Sequence, residues 1–282
     1  MALGTLLLLL SAFLHASWNA LAKSSQDKEG FLFITILISG LLTIGLAFGI
    51  DDGLHWGSHV VIGIGVLSGI FEGLYFITLS KALRESLGTS YAIMRGGAMV
   101  VVWMISSLFL GEISEFHHYV GAFIILAGIF AMTIPKDKNL QVPAKKANNL
   151  WAYLSAFFIA GYHLCYHQAL IREAHPTSLF CIAMFVSLPF LFWSLGREPK
   201  KRILATWRDH RIRVSLCGIA AMSSFVIFLY GLKVSAPGYA ISLRNSSIFF
   251  ALIFSYFLKE KISRVQFLGA LTVGVGTIVL SI

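Results

Sequence analysis

Charged residues are scarce in this sequence, and their scarcity limits the possible class of protein. They make up 12% of the 282 residues, whereas 57% are apolar, and the mean hydropathy is +0.80. Soluble domains carry about 25% charged residues, so this composition excludes an ordinary soluble protein. Acidic residues are scarcer than basic ones, 13 against 22, which leaves a net charge of +9. The sequence therefore predicts a basic membrane protein.

Cysteines and catalytic motifs are also rare or missing. Cys165, Cys181 and Cys217 show no CxxC or metal-ligand spacing, which favours a role as small buried apolar residues. The sequence contains no P-loop, HExxH motif or paired-aspartate motif. His163 and His167 are four residues apart, a spacing that could bind a metal, but no third ligand accompanies them. We therefore expect no enzyme activity, no cofactor and no metal site.

Long apolar windows account for nearly the whole chain. A bilayer core of roughly 30 Å needs about 20 apolar residues per helix, and ten such windows are present. They run approximately over 3–23, 31–49, 60–81, 90–110, 117–134, 150–170, 178–195, 214–233, 238–258 and 265–281. The first window imitates a secretory signal, but no basic region precedes it. We expect an all-α polytopic membrane protein with ten transmembrane helices.

Basic residues follow a pattern along these predicted helices. The connections after helices 1, 3, 5, 7 and 9 hold 18 of the 22 Lys and Arg residues, whereas Arg172 and Lys233 are the two in the other connections. By the positive-inside rule, the basic connections face the cytoplasm and both termini lie outside. The positive charge therefore indicates topology rather than a nucleic-acid partner. We expect an integral protein of the bacterial cytoplasmic membrane.

An internal repeat divides the chain. Residues 91–134 and 239–282 align without gaps and are identical at 12 of 44 positions, against about one in ten expected for so apolar a chain. The Leu-Ser-Ala-Phe motif at 10–13 recurs at 154–157. Such self-similarity is typical of transporters built from two related halves.

The repeat predicts three segments. The first five-helix repeat spans 1–134, a polar linker spans 135–149, and the second five-helix repeat spans 150–282. Because each half has an odd number of helices, the second is inserted upside down relative to the first. We therefore expect two inverted five-helix repeats.

Four motifs carry a resemblance to a known family. They are His15-Ala-Ser-Trp-Asn-Ala-Leu21 in the first helix, Ala82-Leu-Arg-Glu-Ser86 before the fourth, and Leu110-Gly-Glu112 and Leu258-Lys-Glu260 at the ends of the fourth and ninth. Together with the repeat they resemble the EamA branch of the drug/metabolite transporter superfamily. Its members export amino acids and metabolites, or exchange sugar phosphates and nucleotide sugars, without hydrolysing ATP. The resemblance implies a secondary carrier whose cavity is lined mainly by helices 1, 3, 4, 6, 8 and 9.

Two arginines within predicted helices are the first candidate site residues. Arg95 and Arg244 lie five or six residues into helices 4 and 9, which is roughly 8 Å at 1.5 Å per residue. At that depth an arginine can still reach the interface by snorkelling. Their recurrence in equivalent helices favours binding of an anionic group instead. Asn245, which has no counterpart in the first repeat, is where we expect the symmetry to break for specificity.

Glu72 is the candidate for proton coupling. It lies near the centre of helix 3, where an ionisable group is costly unless it faces a cavity or a partner, and Tyr75 is on the same helix face. We expect Glu72 to carry a coupling proton or to act as the counter-charge of an amino or arginine group. A purely structural hydrogen bond between helices is the alternative.

Polar and aromatic residues of two helices complete the predicted cavity. The candidates on helix 1 are spaced i, i+3, i+4 and share one face, and those on helix 6 have similar spacing. They are His15, Trp18 and Asn19 on helix 1, and Tyr162, His163 and Tyr166 on helix 6. We expect these faces to line one polar, aromatic cavity, although structural hydrogen bonds between helices would use the same residue types.

These features predict a secondary active transporter that works by alternating access. The expected partner is a small polar metabolite that bears a carboxylate or phosphate or resembles an amino acid, with possible coupling to a proton or counter-substrate. The alternative is a flippase or exporter for lipid-linked or hydrophobic compounds. The sequence does not indicate an oligomeric state.

Overall fold

Ten α-helices make up the computed structural model, which describes residues 2–111, 113–133, 149–234, 240 and 243–281. The helices are α1 (Ala2–Lys23), α2 (Lys28–Ile50), α3 (His59–Ala82), α4 (Leu87–Phe109), α5 (Phe116–Thr133), α6 (Leu150–Leu170), α7 (Pro176–Ser194), α8 (Pro199–Val234), α9 (Ser247–Phe257) and α10 (Arg264–Leu280). These residues contain no β-strand. The predicted linker over 135–149, except Asn149, lies outside the described residues, as do Glu112 and Tyr239.

Seven of the helices are long and apolar enough to cross a membrane. They are α1 to α5, α7 and α8. Helix α6 has the length but is rich in tyrosine and histidine, including Tyr162, His163 and Tyr166, which lowers its hydropathy. The described part of α9 has 11 residues, and α10 is an apolar helix of 17 residues. The all-helical, membrane-spanning class expected from the sequence is confirmed.

Most helix starts have a local sequence reason. Ser58 and Ser86 accept hydrogen bonds from backbone N–H groups in the first turns of α3 and α4, and Asp27 does the same for α2. Ser263 forms a capping box at the start of α10. Pro176 occupies the first turn of α7, where its missing N–H costs nothing. Each cap satisfies a backbone donor that the helix itself leaves unpaired.

The start of α8 corrects one expectation. The sequence predicted a basic connection up to residue 213 and a helix from Val214, whereas the structure begins α8 at Pro199. A proline suits a helix start, and no glycine or proline interrupts 200–213. The backbone leaves helical geometry only at His210, with φ −135° and ψ 20°. The basic segment is therefore a helix that joins the membrane-spanning part of α8 at a kink.

The two halves of the chain interleave. Helix α3 packs against α6 and α7, and α8 packs against α1 and α2. Likewise α4 packs against α6, and α9 against α1. In each of these two comparisons, the second pairing repeats the first with every helix replaced by its counterpart in the other half. The counterparts are α3 and α8, α4 and α9, α6 and α1, and α7 and α2. Helices α2 with α7, α4 with α9, and α5 with α10 pair directly across the halves.

Glycines let these helices approach closely. A Cβ atom on Gly128 of α5 would lie 2.7 Å from the carbonyl oxygen of Gly269 in α10. On α3, a Cβ atom on Gly69 would lie 2.6 Å from Val186 of α7, and one on Gly73 would lie 2.8 Å from the Phe190 ring. These distances leave no room for a side chain, so the helices pack closely at these glycines.

Four of the connections that follow odd-numbered helices, those after α1, α3, α7 and α9, meet at one end of the bundle, which we call the basic end. Arg84, after α3, pairs with Glu29 at 2.6 Å. Arg202, at the start of α8, pairs with Glu29 at 3.1 Å and also with Asp27. Lys23, at the end of α1, pairs with Glu260 at 3.3 Å. Four basic connections of the sequence are therefore held together.

A second polar cluster ties the opposite end. The Asp51 carboxylate, just after α2, accepts hydrogen bonds from the Tyr230 hydroxyl at 2.6 and 2.7 Å and from the Thr177 hydroxyl at 2.7 Å. The His175 ring lies 3.3 Å from the same carboxylate. One carboxylate thus joins α2, the start of α7 and the end of α8.

Candidate binding site within the helix bundle

Arg244 is held in the interior by three hydrogen bonds. Leu243 to Asn245 are helical, and a turn at Ser246 separates them from α9. The side chain is 1% exposed. Its Nη1 donates to the Ser11 hydroxyl and to the Ser224 carbonyl oxygen, each at 3.1 Å, and Nη2 lies 3.1 Å from Nδ1 of His15. All three partners are neutral oxygens or nitrogens, so they orient the guanidinium without neutralising it.

Aromatic rings of α8 cover the Arg244 guanidinium. Its Cζ atom lies 4.1 Å from the Phe228 ring centroid and 4.7 Å from that of Phe225. The negative faces of such rings attract a cation, most strongly where water is excluded. These contacts help to keep a full positive charge inside the bundle.

His15 connects Arg244 to helix α1. Its Nδ1 atom also lies 3.3 Å from Nε1 of Trp18, which can only donate. Because Nδ1 accepts from Trp18 and Arg244, the proton of the neutral ring belongs on Nε2. That Nε2 atom is buried and has no hydrogen-bond partner among the described residues. His15 therefore offers one free N–H donor beside Arg244.

Arg95 lies in the same interior region on α4. It is 2% exposed, and its Nε and Nη2 atoms have no hydrogen-bond partner in the described part of the chain. Tyr75, Tyr91 and Tyr162 interact electrostatically with its guanidinium. The Tyr91 and Tyr162 hydroxyls lie close to it, but without the geometry of a regular hydrogen bond. The same three tyrosines interact with Arg244, as does Arg95 itself. Neither guanidinium reaches the surface, which contradicts the snorkelling interpretation.

Glu72 on α3 is fully buried. Its Oε1 atom accepts a hydrogen bond from the Tyr166 hydroxyl at 2.8 Å, whereas Oε2 has no partner among the described residues. Arg244 acts on Glu72 through its field rather than by direct contact. The carboxyl group therefore has one neutral partner and one free oxygen.

Tyr162 of α6 joins these parts through ring contacts. Its ring centroid lies 4.5 Å from that of His163, 5.6 Å from Tyr166 and 5.7 Å from Tyr75. The Phe225 ring is 6.2 Å from Tyr162 and 5.3 Å from His15. Trp18 packs edge-on against His15 at 5.2 Å. The predicted faces of α1 and α6 therefore point into a common interior, and side chains of α3, α4 and α8 lie between them.

Unpaired polar atoms are concentrated in this cluster. Atoms that can only donate, given the His15 tautomer, are His15 Nε2, Arg95 Nε and Nη2, Arg244 Nε and Asn245 Nδ2. Asn19 Oδ1 can accept, and Glu72 Oε2 accepts when the carboxyl group is ionised. His163 Nε2 and the hydroxyls of Tyr91, Tyr162 and Ser247 can donate or accept. Because buried polar atoms normally have partners, this group marks a place where a polar ligand can bind. Donors outnumber acceptors, so the cluster suits an oxygen-rich ligand.

The remaining predicted residues have less direct positions. Asn19 donates from Nδ2 to the His15 carbonyl oxygen of its own helix at 2.8 Å. Its Oδ1 atom has no partner among the described residues and can accept a hydrogen bond from a ligand. Asn245 is 3% exposed and adjoins Arg244. Within the described part of the chain, His167 makes no hydrogen bond or ring contact with the cluster. No group of three metal-ligating side chains occurs in the described residues.

Several residues of the cluster were missed by sequence reasoning. Tyr91 could have been found, because it matches Tyr239 in the repeat and lies one turn before Arg95. Ser11 could also have been found, because it aligns with Ser155, whose hydroxyl bonds Thr78 between α6 and α3 at 2.8 Å. Phe225 and Phe228 carry no such pattern. Aromatic residues of a membrane helix look alike until their neighbours are known.

Comparisons with known proteins agree with this architecture. The family model of the EamA-like transporter family matches residues 2–134 and 147–282. No curated protein matches the chain. A solved crystal structure aligns with 99% of this chain and 96% of its own chain, with a TM-score of 0.62 and 14% sequence identity. At that identity the likeness concerns the fold alone. The family match covers nearly the whole chain and confirms the resemblance, so the protein belongs to the EamA-like transporter family, whose members are membrane transporters.

Proposed function

We propose that the protein is a secondary active transporter that moves a small polar metabolite with an acidic group across the membrane by alternating access. The observation that carries this proposal is the pair of buried arginines, Arg95 and Arg244. Neither makes an ion pair with a carboxylate among the described residues. A buried charge is costly unless it is compensated. A transported carboxylate or phosphate would supply that compensation.

The rest of the cluster suits the same cargo. Arginine N–H groups bind carboxylate and phosphate oxygens well, and the His15 Nε2–H and Asn245 Nδ2 atoms add further donors. An amino-acid-like zwitterion is also compatible, because Glu72 and Asn19 offer acceptors for an ammonium group. The tyrosines and Trp18 would pack on the apolar part of the cargo.

Alternating access is supported by the way the two halves interleave. The packing of α3 on α6 and α7 repeats as the packing of α8 on α1 and α2. Such a relationship is what two five-helix repeats of inverted topology would produce, with the substrate site at their interface. Polar clusters close the bundle at both ends, around Glu29 and around Asp51. Opening one cluster at a time would expose the interior alternately to the two sides.

The membrane orientation follows from charge. We infer that all ten helices cross the bilayer and that the basic end faces the cytoplasm of a bacterium, by the positive-inside rule. Both termini would then be external. The contacts of Lys23, Arg84 and Arg202 at one end of the bundle support a single basic face.

A flippase for lipid-linked or hydrophobic compounds fits the cluster less well. Such a protein needs a site that is open sideways to the lipid. Arg95, Arg244 and Glu72 are at most 2% exposed. Two uncompensated cations in an enclosed site favour a polar anionic cargo.

The proposal can be tested with purified protein in liposomes. Flux of labelled organic anions should be measured with wild type, Arg244→Gln and Arg208→Gln. Arg208 is a matched control because its side chain is 81% exposed and, among the described residues, pairs with neighbouring Asp209 alone. We expect flux to fall at least about tenfold in Arg244→Gln, since charge-assisted hydrogen bonds contribute about 1.5–3 kcal/mol each, and to be unchanged in Arg208→Gln. Unchanged flux in Arg244→Gln would overturn the proposed role.

A further inference from the structure

We propose that the substrate of this site is a compact organic dianion, and that Glu72 takes up a proton when the dianion binds. The inference rests on the proposed carrier function and narrows its cargo to one charge class. It follows from the charges and free hydrogen-bonding atoms of the cluster.

The charge count of the cluster leaves two positive charges to be matched. Arg95 and Arg244 are the cations, and Glu72 is the ionisable carboxyl group among the described residues of the cluster. His15 is neutral, because its Nδ1 accepts from Trp18 and Arg244. His163 is counted as neutral too, because it lies in the field of both arginines and makes no ion pair among the described residues. A dianion balances the arginines when Glu72 is protonated, and a monoanion balances them when Glu72 is ionised. The contacts of Glu72 decide between these cases.

Glu72 is placed as a proton carrier rather than as a counter-ion. Its direct hydrogen-bond partner is the neutral Tyr166 hydroxyl, at 2.8 Å, and it makes no ion pair with Arg95 or Arg244. Carboxylates that serve as counter-ions of arginine usually contact the guanidinium directly, often with both oxygens. The charges of Arg95 and Arg244 are therefore left for the substrate.

The free donors of the cluster point the same way. Arg95 has two nitrogen atoms, Nε and Nη2, and Arg244 has one, Nε, without a regular hydrogen-bond partner among the described residues, and the two side chains come from different helices. His15 and Asn245 each add a donor. A ligand with one acidic group would leave part of this set unpaired, at a cost of about 1–3 kcal/mol per buried group. A ligand with two acidic oxygen groups, or one phosphate, can use both arginines.

Proton uptake follows from electrostatics. The titratable and charged groups that act on Glu72 are Tyr75 of its own helix, Tyr162 and Tyr166 of α6, and Arg244. Burial disfavours the ionised carboxylate, whereas the hydrogen bond that Tyr166 donates and the positive charge of Arg244 stabilise it. A bound dianion neutralises Arg244 and adds negative charge beside Glu72, so the carboxyl group takes up a proton. By linkage, the affinity for the dianion then falls as the pH rises.

Matched ligand pairs test the charge class. Succinate carries two carboxylates, succinamate has one of them replaced by a neutral amide, and 4-aminobutanoate has one replaced by an ammonium group. Methyl phosphate and dimethyl phosphate form a second pair. Above about pH 7 succinate and methyl phosphate are dianions, because carboxyl groups and phosphate monoesters lose their last proton at about pH 4 and 6. The two pairs distinguish a dicarboxylate from a phosphate ester as the source of the charge.

Calorimetric titration of the purified protein between about pH 7 and 9 measures affinity, and buffers of different ionisation enthalpy reveal proton uptake. We expect one dianion to bind at least about tenfold more tightly than its monoanionic analogue. We also expect its affinity to fall by up to about tenfold per pH unit, because each bound ligand takes up at most one proton at Glu72.

Variants separate the two parts of the inference. In Glu72→Gln the dianion should still bind, without proton uptake and without the dependence on pH. Arg95→Gln should lose at least about tenfold of the preference for the dianion, whereas Arg95→Lys should keep most of it. Glu115→Gln is the control, since that side chain is 72% exposed. Thermal unfolding of each variant checks that it is folded. If Arg95→Gln does not fold, the preference of Arg95→Lys for the dianion is measured in its place.

Three results would overturn the inference. They are equal or tighter binding of the monoanion or zwitterion, binding of neither dianion, and dianion binding without proton uptake. Failure of the carrier function is distinguishable from these results. If the protein transports succinamate or 4-aminobutanoate in liposomes at least as well as succinate, the proposed function holds and only the dianion is refuted.

Discussion

The Glu260 carboxylate, between α9 and α10, accepts the backbone N–H of Leu87 at the start of α4 through both oxygens, at 2.8 and 2.9 Å. The same carboxylate accepts from the Ser86 hydroxyl at 3.0 Å and pairs with Lys23 of α1 at 3.3 Å. A negative charge at a helix N-terminus accepts hydrogen bonds from free backbone N–H groups and interacts favourably with the helix dipole. One side chain of the second half therefore fixes the helix of the first half that carries Arg95.

Loss of this cap should destabilise the protein. We expect Glu260→Ala to lower the free energy of unfolding by about 1–2 kcal/mol, because helix caps and partly buried charged hydrogen bonds contribute on that scale. Thermal unfolding of the purified protein in detergent measures the change. Glu115→Gln, at an exposed position, should leave the unfolding temperature unchanged. An equal unfolding temperature for Glu260→Ala and wild type would show that the contact does not stabilise α4.

The approach of α5 to α10 should tolerate no added methyl group. A Cβ atom on Gly128 would lie 2.7 Å from the Gly269 carbonyl oxygen and 2.9 Å from Val273. We expect Gly128→Ala to cost about 1–3 kcal/mol, the usual cost of overpacking. Gly45→Ala in α2 is the matched control, since no atom lies within 4 Å of its added Cβ, and it should be neutral or slightly stabilising. The same thermal unfolding assay compares them. Equal effects would contradict the packing described here.

The Tyr166 hydroxyl and Glu72 should act as a unit. Tyr166→Phe removes the hydrogen bond to Glu72 Oε1 and leaves a buried carboxyl group without a partner, which costs about 1–3 kcal/mol. We expect a lower unfolding temperature and a changed dependence of flux on pH. In Glu72→Gln the same tyrosine change should cost less, so a double-mutant cycle should show coupling. Tyr153→Phe, at a residue 41% exposed, is the control. Additive effects would mean that the two side chains act independently.

The C-terminal end of the chain should lie outside the cytoplasm. We expect alkaline phosphatase fused after Ile282 to be active, because it folds only where disulfides form, and a reporter that fluoresces only in the cytoplasm to stay dark there. Placed in the connection between α9 and α10, near Lys261, the fluorescent reporter should be active. The reverse pattern would refute the orientation that we infer from the basic residues.

Much of the architecture could be predicted from the sequence. Hydropathy identified the helical membrane class, because lipid leaves a backbone few alternatives to the helix. The glycines of α3, α5 and α10 are a further local signal, since small residues at helical spacing in a membrane helix indicate close packing. The basic stretch before Val214 was taken for a connection because its charges set it apart from the apolar windows. Charge alone does not prevent a helix, and the structure begins α8 at Pro199.

Less of the candidate site could be predicted. Arg95, Arg244 and Glu72 stand out in the sequence, because a charge within an apolar helix needs a reason. Snorkelling remained open for the arginines, since the position of a residue along a helix does not show where its side chain ends. The contribution of Ser224, Phe225 and Phe228 to the Arg244 environment was not foreseen. Nothing in their local sequence differs from ordinary lipid-facing or core residues.

The sequence by itself determined the class of protein, the two related halves and the three charged side chains that membrane energetics make conspicuous. Only the tertiary structure decided that Arg244 lies against His15, Ser11 and two phenylalanines of α8, and that Glu72 faces Tyr166 rather than an arginine. The physical reason is that hydropathy is a property of each segment alone. The neighbours of a buried charge come from helices far apart in the chain, and they are set by how those helices pack.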